Sequence, residues 1–164
     1  MANEIKDKFA ASTALTFKVD SAGAGAIRGL ASSTAGVGVQ SDVVDNTTNK
    51  YQDLEILVNI KQGTSPTGNK GVQFYIVRCD DDGTPHRDDG AGAGFAALTV
   101  LNCELIGTLL NKAAPSTGDV LKGSFKVSRP GPKWAIAVVH DTVAALDDST
   151  NHWVRYIGLN PEVQ

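Results

Sequence analysis

Apolar and polar residues alternate with a period of two in stretches of strand length along most of the chain, and this is its dominant structural signal. In residues 51–61, Leu54, Ile56, Val58 and Ile60 fall on one face, with Asp53, Glu55 and Asn59 on the other. In residues 120–127, Leu121, Phe125 and Val127 alternate with Lys122, Ser124 and Lys126. Residues 13–19 set Leu15, Phe17 and Val19 against Thr16 and Lys18. Residues 71–79 are apolar on both faces, with Phe74 and Ile76 on one and Tyr75 and Val77 on the other. That pattern predicts a strand central in its sheet or covered by a partner. Residues 39–44 predict a short strand, and residues 96–110 predict strand with a break at 102–104 or at Gly107.

Two further runs lie near the end of the chain. Trp134, Ile136 and Val138 alternate with Ala135, Ala137 and Val139, and Val154 and Tyr156 alternate with Trp153, Arg155 and Ile157. A polar, turn-rich connection joins them, so the pair reads as a β-hairpin. Pro130 and Pro132 cannot donate to a ladder and place the start of the first run after them. Ala135 and Ala137 leave room for close packing on one face. No window shows a helical stripe of apolar residues. The expectation is a single all-β domain over residues 1–164. Its architecture is an antiparallel β-sandwich of seven to eight strands, jelly-roll or immunoglobulin-like.

Between the runs the chain is rich in turn formers, and it contains 17 glycines. Residues 20–38 are rich in Gly, Ala and Ser. They predict a long loop, either flexible or laid on a neighbouring subunit. Residues 80–94 form the longest polar stretch. Residues 1–11 predict an N-terminal arm, a short helical turn or an extended tail, and residues 160–164 a short tail.

The formal net charge of −3 implies no broad basic surface, which argues against nucleic acid as the main partner. No apolar run reaches bilayer-spanning length, and the N-terminus carries no apolar signal core, so synthesis and folding in the cytosol are expected. Cys79 and Cys103 predict buried, reduced thiols.

Candidate chemistry is sparse. Asp80, Asp82, Asp88 and Asp89 surround Gly83 without the alternating oxygen ligands and closing Glu of a calcium loop. His86, His140 and His152 lack the further ligands of a zinc site. There is no nucleophile elbow and no phosphate-cradling glycine loop. Trp134, Trp153, Tyr75 and Tyr156 would make a sugar-stacking face if exposed together, whereas alternation places such rings in the core. No cofactor, metal or catalytic site is expected.

Several scattered stretches carry a resemblance. They are Ser12-Thr-Ala-Leu-Thr16, Leu30-Ala-Ser-Ser33, Val44-Asp-Asn-Thr-Thr-Asn49, Tyr51-Gln-Asp53, Gly63-Thr-Ser65, Pro130-Gly-Pro-Lys-Trp134, Val139-His-Asp-Thr142 and Tyr156-Ile-Gly158. Together they resemble small structural proteins of tailed bacteriophages, over nearly the whole chain. The resemblance implies a non-enzymatic virion component that decorates or cements the head. Its partners would be the major capsid protein or other virion subunits, in a symmetric homo-oligomeric arrangement, with no nucleic acid or membrane bound. Ile5, Phe9, Ile27 and Leu30, in the arm and the long loop, are the candidate subunit contacts. A carbohydrate-binding or adhesin module, or a tail or collar component, is the alternative.

Overall fold

The computed structural model describes residues 5–17, 27–80, 97–149 and 151–163. Every regular element among them is a strand, and there are eleven. One sheet contains β1 (Ile5–Phe9), β2 (Thr13–Ala14), β5 (Asp53–Lys61), β9 (Val120–Ser128) and β11 (Trp153–Val163). Its order is β1-β11-β5-β9, with β2 also on β11. The other contains β3 (Val37–Gln40), β4 (Val44–Asp45), β6 (Gly71–Cys79), β7 (Ala97–Thr99), β8 (Glu104–Leu110) and β10 (Lys133–His140). Its order is β7-β3-β10-β6-β8, with β4 also on β10. All pairs are antiparallel. The two sheets make the expected sandwich.

The core lies between them. Leu54, Ile56, Val58 and Ile60 of β5 meet Phe74 and Ile76 of β6 and Trp134, Ile136 and Val138 of β10 in one buried cluster. Leu15 and Phe17 join it, and Leu121 and Phe125 are half-buried against it. The alternation therefore sorts inward from outward residues along these strands. The outer face of the second sheet has its own small cluster. Val77, Ala135 and Ala137 are buried there under Val43, Tyr75, Val100 and Cys103. The room left by the two alanines is thus filled by the same chain. Cys79 and Cys103 are thiols, not a disulfide.

The structure corrects several expectations. The runs at 134–139 and 153–157 are not a hairpin. β10 pairs with β3, β4 and β6, while β11 pairs with β1, β2 and β5. Each run is central in its own sheet and needs a partner on both sides. The connection between them crosses the end of the core, where Leu146 is 3% exposed. The strand count rises because β2, β4 and β7 are only two or three residues long, too short to show alternation.

The expected arm and tail are one antiparallel ribbon, in which Ile5 pairs with Val163 and Phe9 with Leu159. Each strand supplies the other's backbone partners, and Lys8 meets Glu162 at 3.3 Å. Ile27 is 4% exposed and belongs to the core, and Leu30 packs partly buried against it. Both residues of the long loop pack at the sandwich's own end, Ile27 fully and Leu30 in part. Residues 18–26 of that loop, the acidic stretch 81–96 and His86 lie outside the described residues.

Candidate functional site

The sandwich has two ends of different character. One lies where β5 begins and β9 ends, at the Asp53–Ser128 and Asp53–Leu159 pairings. The other lies where β5 ends, β10 ends and β11 begins, around Lys61, His140 and Trp153.

At the first end, Asn46 ties two turns together. Its side-chain amide donates to the carbonyls of Tyr51 (3.1 Å) and Gly131 (3.0 Å), and its oxygen accepts the Tyr51 N–H at 2.9 Å. Its own N–H donates to Pro132 O, and Lys50 N–H donates to Asn46 O. The Arg129 N–H donates to Gln52 O, closing the third side. Between these turns lies a cleft of about 460 Å³, lined by Asn46, Thr47, Lys50, Tyr51, Gln52, Arg129, Gly131 and Pro132. The half-buried Tyr51 ring rests on Gly158, where a Cβ would stand 2.4 Å from ring carbons. Tyr51 meets Tyr156 edge-on at 6.5 Å, and Tyr156 meets Trp134 at 5.0 Å, so the aromatic lining is braced from the core.

Lys50 and Arg129 both have φ of 51°. A left-handed backbone costs an L-residue with a Cβ roughly 1–2 kcal/mol, and such strain gathers at functional surfaces. Both side chains are exposed. The nearby carboxylates are already engaged. Asp45 accepts from the hydroxyl (2.6 Å) and N–H (2.8 Å) of Thr47, which hold its pKa below the ordinary carboxylate value. Asp53 is held low mainly by Lys126, 2.9 Å away.

The second end is stapled by two histidines. His140 is buried; its Nε2 lies 2.7 Å from Leu30 O and its Nδ1 3.0 Å from Thr142 Oγ1. His152 Nδ1 accepts the Lys61 N–H at 3.3 Å, so its Nε2–H donates to Asp147 O at 2.6 Å. Burial lowers both pKa values and keeps the rings neutral, only partly opposed by the carbonyls they face. Ser149, whose N–H donates at 2.8 Å, and Lys61, 3.2 Å away, hold Asp147 at about 2.

Outside this stapled end, Leu110, Val120, Val143 and Trp153 are exposed. Leu110 and Val120 share one shallow depression with Leu121 and Pro115. Val143 sits at φ 75° with its N–H bonded to Ser32 Oγ, an outlying conformation for a β-branched residue. Arg155 lies over the Trp153 ring, 5.2 Å from its centre.

The residues singled out from sequence do not converge on either surface. Phe9 is 62% exposed on the ribbon, whereas Ile27 is buried in the core and Leu30 packs partly buried against it. Trp134 and Tyr156 are core residues, so no exposed sheet of four aromatics forms. Among the described residues, no three His, Cys, Asp or Glu side chains are grouped to hold a metal. The cleft was missed because its walls come from turns more than seventy residues apart. The sequence signal that could have suggested it was a cation at each of two turns, Asn49-Lys50 and Arg129-Pro130-Gly131.

No known family profile matches the chain, and no curated protein matches it. Among solved structures, the C-terminal domain of EclA, titled a sugar-binding protein, is 10% identical with a TM-score of 0.40, covering 99% of this chain and 79% of its own. A CBM35 from Cellvibrio japonicus Abf62 is 10% identical at TM-score 0.31, covering 98% and 97%. Xyl-CBM35, solved with a glucuronic acid containing disaccharide, is 11% identical at 0.32, covering 99% and 95%. At these scores the likenesses transfer nothing to this chain, and the fold assignment stands on its own two sheets.

Proposed function

We propose that this chain is a non-enzymatic structural subunit of a tailed-bacteriophage virion, a decoration protein seated on the head shell. The observation that carries this reading is the apolar surface at the stapled end. Leu110 and Val120 share a shallow depression at this end, and Val143 and the partly covered Trp153 are exposed separately near it. An apolar surface of this kind gains from being covered. Val143 is held there in a strained conformation by the surrounding fold. The occupant is the major capsid protein, in keeping with the sequence resemblance described above, and symmetric repetition on the shell multiplies modest contacts into firm attachment. Mass spectrometry of purified particles tests the assignment. The chain is expected at a fixed ratio to the major shell protein, and its absence from particles contradicts the reading.

The cleft at the opposite end favours a second reading, a carbohydrate-binding module. An aromatic ring with adjacent hydrogen-bonding and charged side chains is the usual make-up of a sugar site. The two readings are compatible, since a subunit bound to a shell by one end presents the other outward.

A further inference from the structure

We infer that the cleft between the 46–52 and 129–132 turns binds an acidic saccharide, a pyranose ring bearing a carboxylate. The inference rests on the carbohydrate-binding reading above and specifies its ligand. Tyr51 supplies an aromatic surface of the kind on which the C–H face of a sugar ring packs, and the Gly158 contact fixes that ring in place. Lys50 and Arg129 both line the cleft, one from each turn. Neither makes an ion pair among the described residues. Arg offers a planar fork that matches a carboxylate, and Lys adds a compact charge. Asp45 accepts from Thr47 and Asp53 pairs with Lys126, which leaves Arg129 only a longer-range attraction to Asp53. A volume near 460 Å³ lies within the range of small-molecule sites, about 300–1,000 Å³. Both cations sit on left-handed backbone, where glycine would have been the unstrained choice.

Calorimetric titration of the full chain with oligogalacturonate, a matched neutral galactose oligomer and a glutamate-rich peptide tests this. Lys50→Asn and Arg129→Asn are the variants, because Asn tolerates the left-handed backbone and keeps the turns folded. Thermal melts confirm folding. The expected result is binding of oligogalacturonate that weakens at least tenfold in each variant and with added salt, with no binding of the neutral oligomer. Equal affinity for the neutral oligomer overturns the acidic specificity while leaving a sugar site. No binding of either saccharide overturns both readings of the cleft. Equal affinity for the peptide, or oligogalacturonate binding unchanged in both folded variants, overturns the assignment of this cleft to an acidic sugar.

Discussion

Single residues at the stapled end set how the protein responds to acid. His140 and His152 are neutral in the fold because burial depresses their pKa below the ordinary value of 6.5. In the unfolded chain the same imidazoles titrate at their ordinary value. Between that value and the lowered folded one, the unfolded state therefore holds more protons, and stability rises with pH. The histidine contribution is complete above about pH 6.5 and is lost as pH falls below it. Asp147, held at about 2, adds a second window: its contribution is present above the ordinary carboxylate range and disappears as pH approaches 2. Melting temperature followed from pH 8 to pH 5 should decline, and His152→Gln should flatten that decline. Val143 gives a test of opposite sign. Glycine removes the Cβ that opposes φ 75° at this exposed position, so Val143→Gly should stabilise the isolated chain by about 1 kcal/mol in urea denaturation.

Strands show which parts of the fold local pattern can specify. Ile56 sits mid-β5 with no exposure, and Ile56→Ala should cost about 2–5 kcal/mol by chemical denaturation, reflecting lost contacts and the cavity left behind. This position was readable from alternation alone, as were most residues of the core. Pairing was not. The runs that became β10 and β11 look like hairpin partners because hairpins are the local solution, yet each is central in a different sheet. Ile27 and Leu30 lie in a loop of small residues with no alternation, and only the closed sandwich end reveals that they pack against the core. β1 and the last residues of β11 form a ribbon that β5 does not reach, since its pairing with β11 ends at Asp53–Leu159. A two-stranded ribbon is marginal in water. Amide hydrogen exchange at Asn160, Glu162 and Val163 should therefore be much faster than at 154–158, where β5 and β11 pair. Equal protection would show that the ribbon is braced by more than its own ladder.

At the scale of the whole molecule, the two proposed surfaces lie at opposite ends of the sandwich. Antiparallel strands running the length of the sandwich bring turns that are distant in sequence to the same end. This is why neither surface was legible as a motif: the cleft needs residues 46–52 and 129–132 together, and the apolar end needs residues 110, 120, 143 and 153. The account assigns shell attachment to the apolar end and ligand binding to the cleft, so damage at one end should leave the other intact. The most direct test is reattachment to particles that lack the chain, measured by co-sedimentation. Wild type, the Leu110→Asp/Val120→Asp double variant and the Lys50→Asn/Arg129→Asn double variant are compared after circular dichroism has confirmed that each is folded. The account predicts that the wild type and the cleft variant load equally and that the apolar-end variant loses at least tenfold in occupancy. Full loading of the folded Leu110→Asp/Val120→Asp chain would contradict it.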